Sequence, residues 1–186
     1  LGLYIFISLN QIKIRLLNEP QDGRPHHKIA ILWGKTIISM IPGWSVTIEG
    51  VENIPADRDA VVIVANHESM ADIWAMFFLN MQFRWLSKAE VGKIPVIGAV
   101  MRLCGYIFIK RGNRASAAAA MEQSKVVIGE GISMMFFPEG TRSVDGKLKD
   151  FKLGAFKLAT ETKADILPVA IHGAGVLFPK GSKVPF

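Results

Sequence analysis

A chain of 186 residues is long enough to form one domain around a real hydrophobic core. Half of the residues are hydrophobic and the mean hydropathy is +0.29, yet no charge-free apolar run reaches the roughly 18 residues that a spanning helix needs, so the composition fits a protein resting on a membrane. The net charge of +6 suits an anionic partner, whether lipid head groups, a phosphorylated substrate or nucleic acid, while the single cysteine, Cys104, excludes an internal disulfide and any cysteine-based zinc cluster.

Taken in order, Leu1 to Leu17 is an apolar stretch carrying Lys13 and Arg15, expected as an interfacial amphipathic helix or the tail of a longer membrane segment. A polar loop over Asn18 to Lys28 leads to a second apolar helix, Ile29 to Ile41, ended by Pro42-Gly43. Residues 1–43 are thus expected to form a membrane-associating helical hairpin. Residues 44–186 form the α/β domain, with both ends of the chain expected to be cut short.

Within that domain, alternation over Ser45 to Gly50 predicts a strand, and further strands are expected at Val61 to Val64, Phe83 to Leu86, Tyr106 to Ile109, Ile132 to Phe137 and Ile166 to Ile171. Between them lie a helix-like segment from Ala71, a helix over Lys88 to Leu103 broken near Pro95 and Gly98, and an Ala-rich helix over Arg114 to Ile128 stopped by Gly129 and Gly131. This order predicts an α/β fold with a mixed, largely parallel sheet flanked by helices.

The run Val-Val-Ile-Val-Ala-Asn-His at 61–67 puts His67 at a strand-to-helix junction, where reactive groups collect in open α/β folds. His67 and Asp72 would stand about 140° apart on a continuous helix at roughly 100° per residue, so they can meet only if His67 precedes the first turn. Asp72 could then hold one ring nitrogen while the other faces substrate. A packed histidine and an aspartate that complements the helix dipole are the plain alternative. Cys104, inside an apolar segment, is expected to be a buried and inert thiol.

Phe-Pro-Glu-Gly-Thr-Arg-Ser at 137–143 follows another buried-strand run and could line the same crevice. Arg142 is suited to a phosphate through parallel charge-assisted hydrogen bonds. A surface salt bridge in a turn is the competing reading. Arg111, just past the strand ending at Ile109, and Lys88, after the Phe83 strand, are solvated strand caps or further contacts for an anionic head group. A P-loop is excluded, because five residues separate Gly140 from Gly146 and Leu148 stands where Ser or Thr is required. No Gly-x-Ser-x-Gly nucleophile elbow occurs either. The tryptophans sit in apolar rather than basic surroundings, unlike a base-stacking platform, which argues against nucleic acid.

Four blocks in this order resemble the lysophosphatidic acid acyltransferase (1-acylglycerol-3-phosphate O-acyltransferase) family. They are Asn66-His67 with Asp72 (the HX4D pattern), Gly105 to Arg111, Phe137 to Ser143, and the proline-containing strand around Pro168. The resemblance covers roughly Trp44 to Gly175. Glu68 departs from it, since the family more often has an uncharged polar residue there, and this bears on acceptor preference.

The resemblance implies transfer of an acyl group from an acyl-CoA or acyl-carrier-protein thioester to the free sn-2 hydroxyl of lysophosphatidic acid, giving phosphatidic acid in phospholipid synthesis. His67 would be the base and Asp72 its orienting partner. Glu139, Gly140, Thr141 and Arg142, with Arg111 and Lys88, would bind substrate, Glu139 through the glycerol part or by orienting an arginine. No metal or cofactor is implied. The implied setting is the cytoplasmic face of the cell membrane. Glycerol-3-phosphate or another lysolipid as acceptor, or a non-catalytic binder of anionic membranes, are the alternatives.

Overall fold

The computed structural model describes residues 22–55 and 59–177. The first helix of the expected hairpin, Leu1 to Leu17, lies outside them. Among the described residues five strands form one parallel sheet, β1 (Val62–Ala65), β2 (Phe83–Lys88), β3 (Ile107–Ile109), β4 (Ser133–Phe136) and β5 (Ile166–Val169), in the order β3-β2-β4-β1-β5. Six helices accompany them: α1 (Arg24–Met40), α2 (Ala71–Met76), α3 (Ile97–Leu103), α4 (Arg114–Gly129), α5 (Gly154–Thr162) and α6 (Ala174–Leu177).

The two-residue pleat sorts the strand side chains into two cores. Val61, Ile63 and Ala65 join Phe83, Trp85 and Met135 on one face, under Ala30 and Ile31 of α1 and Met76 of α2. Val62 and Val64 join Ile107, Met134 and Phe136 on the other, against Ala120 and Ile128 of α4 and Leu158 of α5. Burial on both faces explains why these strands read as continuous apolar runs. Each fully buried side chain such as Phe83 or Ile63 contributes about 1.5–3 kcal/mol by leaving water. β5, at the sheet edge, is half-exposed and carries Pro168, a residue that edge strands accommodate.

Two expectations give way. Residues 45–50 form no strand, because their alternation meets no neighbouring ladder; Val46 instead packs beside Trp74 and Ile38. The second helix begins at Arg24 instead of Ile29, since Gly23 turns at φ 85° and Pro25 fits the first turn. That brings His26 and His27, read as loop residues, into the interior. The helix expected over 88–103 is shorter: Lys88 ends β2, a 3₁₀ turn (Val91–Lys93) follows, and α3 begins only after Pro95, with Gly98 inside it.

The amino edge of the sheet is closed by a buried polar cluster. His27 Nε2 donates to the Met81 carbonyl at 3.1 Å, which leaves Nδ1 to accept from the Tyr106 hydroxyl at 2.8 Å. Burial, helped by the Arg84 cation, lowers the His27 pKa to about 3. Arg84, itself buried, donates to the carbonyls of Phe83 and Asp22. Cys104 is fully buried as expected, and burial raises its thiol to about 11.

Candidate active site

All parallel strands end at the same edge, so the segments that follow β1 and β4 emerge side by side. His67 lies two residues beyond β1 and four residues before α2. It therefore precedes the first helical turn, as pairing with Asp72 requires. Its Nδ1 stands 2.7 Å from Asp72 Oδ2. The same oxygen accepts the main-chain N–H groups of Glu68 and Ser69, each at 2.8 Å. Asp72 is fully buried, and these three donors replace the water lost by Oδ2, while Oδ1 is buried without a hydrogen-bond partner. A carboxylate only accepts, so the neutral ring carries its proton on Nδ1 and presents Nε2 as a base.

Two further contacts fix the ring and the chain that bears it. Phe137 stacks on the His67 ring at 3.9 Å with 9° between the planes, and Trp85 backs Phe137 at 5.5 Å. The His67 main-chain N–H donates to Glu139 Oε1 at 2.8 Å, and its carbonyl accepts from Ser143 N at 2.7 Å. Both main-chain groups of His67 are thus held by the turn after β4. Asn66 fastens the neighbouring strand, exchanging two hydrogen bonds with the main chain of Ile171, at 2.9 and 2.7 Å.

The turn itself is tightly built. Gly140 adopts φ 71°, and a Cβ there would come within 2.7 Å of Lys152 Nζ, so glycine serves both the turn and the close approach of the lysine. Glu139 is buried, with Oε2 accepting from Lys149 N at 3.1 Å. Both carboxylate oxygens of Glu139 thus bond main-chain N–H groups, those of His67 and Lys149. Lys149 Nζ donates to the Arg142 carbonyl at 2.9 Å. Thr141 and Arg142 are half-buried, and Arg142, Lys149 and Lys152 together gather positive charge beside the histidine.

Lys88 and Arg111 share this edge at greater range. They end β2 and follow β3, two and three strands from β1, roughly 10 and 14 Å across at about 4.8 Å per strand. Lys88 is exposed with Glu90 at 3.8 Å; Arg111 is exposed in a turn. The Glu68 carboxylate lies against Gly175, where a Cβ would come within 2.6 Å of its Oε2. Among the described residues no group of three His, Cys, Asp or Glu side chains is placed to hold a metal ion.

The clasp between the two turns was not foreseen. Phe137, Glu139 and Ser143 bond or stack with a residue some 70 positions away, and nothing local in their spacing reports that. The one available signal was the placement of two polar turns after two apolar strands.

The fold thus sets a histidine–aspartate pair at the carboxyl edge of a parallel sheet, and residues 45–172 match the family model described as Acyltransferase. The chain belongs to that family. It is 38% identical over 168 residues to a chloroplastic 1-acyl-sn-glycerol-3-phosphate acyltransferase of Arabidopsis thaliana, covering 90% of this chain and 47% of the relative. A 1-acyl-sn-glycerol-3-phosphate acyltransferase of Borreliella burgdorferi is 35% identical, covering 75% of this chain and 56% of that one. The chain thus spans about half the length of these curated relatives. The crystal structure of the 1-acyl-sn-glycerophosphate acyltransferase PlsC from Thermotoga maritima superposes with a TM-score of 0.74 at 30% identity, covering 97% of this chain and 75% of that one.

Proposed function

We propose that this chain carries the catalytic site of a 1-acylglycerol-3-phosphate O-acyltransferase, which moves a fatty acyl group from a thioester to the sn-2 hydroxyl of lysophosphatidic acid. The observation that carries this reading is the 2.7 Å His67–Asp72 pair set beside the turn at 137–143, which carries Arg142. The names of its relatives agree with it.

In this reaction His67 Nε2 takes the hydroxyl proton as the oxygen attacks the thioester carbonyl. Asp72 stabilises the imidazolium that results. Collapse of the tetrahedral intermediate expels the thiolate, and the imidazolium returns the proton to it, so the ring ends neutral. Such general-base help is commonly worth about 10²- to 10⁴-fold in rate. The thioester of acyl-CoA or acyl-carrier protein is already activated, so no acyl-enzyme or cofactor is needed. Arg142 holds the acceptor phosphate, with Gly140 and Thr141 shaping the turn beneath it, and Glu139 acts through the His67 main chain. Lys88 and Arg111 reach the outer part of a long substrate. The enzyme works at the membrane surface, on its cytoplasmic face; no helix among the described residues is long and apolar enough to cross a membrane.

The phosphate assignment is tested with Arg142→Ala, comparing lysophosphatidic acid with the uncharged monoacylglycerol of the same chain. A KM raised for the phosphorylated acceptor alone supports it; an equal change for both acceptors contradicts it.

A further inference from the structure

Large apolar side chains stand in the open on both sides of the site. In the loop after β4, Val144, Leu148 and Leu153 are 73%, 67% and 71% exposed, and Phe151 is 44% exposed. Basic residues are interleaved with them, Lys147, Lys149 and Lys152 in the loop and Lys157 on α5, against Asp145 and Asp150. Opposite, Met70 lies just before α2, and Val176 and Leu177 lie on α6, all three exposed. These segments follow β4, β1 and β5, so they flank His67 at the one edge where the parallel strands end.

The loop is not exposed for want of fastening. Ser143 Oγ donates to the Lys147 carbonyl at 2.9 Å, Lys149 N donates to Glu139 at 3.1 Å and Lys152 N donates to the Pro138 carbonyl at 2.9 Å. Its main chain is held against the site while its leucines and valine find no core. Exposed apolar residues gathered in this way mark an interaction surface.

We propose that loop 144–153, together with Met70 and the exposed face of α6, docks the carboxyl edge of the sheet onto an anionic lipid bilayer. Val144, Leu148 and Leu153 enter the boundary between head groups and acyl chains, and the interleaved lysines meet lipid phosphates. A bilayer fits better than a protein partner because the apolar groups lie on both sides of the opening and, in the loop, alternate with Lys147, Lys149 and Lys152, as an apolar phase roofed by anions requires. The inference rests on the lysolipid reading of the site, since docking here brings His67 to the depth at which the hydroxyl of a lysolipid lies.

The test uses the full chain carrying Leu148→Cys labelled with an environment-sensitive fluorophore; the buried Cys104 stays unlabelled. It is mixed with phosphatidylcholine vesicles made with or without phosphatidylglycerol, and Leu148→Ser/Leu153→Ser serves as the second variant. The label is expected to shift to shorter wavelength with anionic vesicles only. The double variant is expected to lose at least tenfold in partitioning onto them while keeping its melting temperature and its turnover of short-chain, dispersed substrates. An unchanged emission on sedimented protein overturns the proposal, because binding then uses another surface. So does a loss of binding to an acidic carrier protein with vesicle binding intact. If the wild type proves inactive as an acyltransferase, the fluorescence still reads docking by itself, so the two readings fail separately.

Discussion

The Glu139 carboxylate accepts the main-chain N–H of His67 at 2.8 Å through Oε1 and that of Lys149 at 3.1 Å through Oε2. One buried side chain thereby joins the turn after β1 to the loop after β4, and the main chain that bears the His67 imidazole is held by a residue 72 positions away in sequence.

Glu139→Gln tests this clasp. An amide has one accepting oxygen, so its NH₂ must oppose one of the two N–H groups, and a buried donor without a partner costs about 1–3 kcal/mol. The variant is expected to melt at lower temperature and to lose about tenfold or more in kcat, with acceptor KM changed little, as steady-state kinetics beside a thermal melt will read. A kcat equal to wild type contradicts the positioning role.

Asp72→Asn addresses the pair itself. The oxygen that now takes three N–H donors would share the buried space with an NH₂ group, and the ring could turn to the tautomer with Nε2 protonated. Turnover is expected to fall by about 10²-fold or more. Steady-state kinetics beside a thermal melt check this, and a kcat equal to wild type in the folded variant contradicts it.

Gly140→Ala separates backbone strain from side-chain crowding. The φ of 71° costs an L-residue about 1 kcal/mol, while Lys152 Nζ, the end of a flexible chain, can move aside from the new methyl. A loss of about 1–2 kcal/mol in urea unfolding is expected. A loss above about 4 kcal/mol would show that Lys152 cannot move.

His27 makes stability depend on pH. Its folded pKa, depressed from 6.5 to about 3, means that the unfolded chain binds the proton first as pH falls. Stability is then complete above about 6.5 and is lost progressively toward 3, by about 2 kcal/mol between pH 6.5 and 5 from this group at about 1.4 kcal/mol per unit. His27→Phe, which cannot take up a proton, is expected to show a shallower slope of urea unfolding free energy between pH 7 and 5. Parallel slopes contradict the assignment.

Much of this was legible in the sequence because the strands are buried on both faces. Val61 to Val64 and Ile132 to Phe137 announce themselves as β-branched and apolar runs, and the polar groups just beyond them mark the edge where the site forms. His67 and Asp72 were legible as a pair because the strand boundary settles which side of the first helical turn the histidine takes. The clasp made by Glu139 was hidden for the opposite reason: its partners are main-chain groups of residues 67 and 149, and no residue type signals them. His26 and His27 misled because polar residues before an apolar run resemble a loop, and the partners that let His27 be buried, Tyr106 and Met81, are distant in sequence. The strand expected over 45–50 had alternation without a neighbour, and alternation alone does not make a ladder.

The most direct measurement is thiol release from acyl-CoA by the wild type and by His67→Ala, with and without lysophosphatidic acid, in detergent or vesicles. Release is expected to require the acceptor and to fall at least about 10²-fold in His67→Ala while the variant stays folded. Release of equal rate from a folded His67→Ala, or release from the wild type that needs no acceptor, would contradict it.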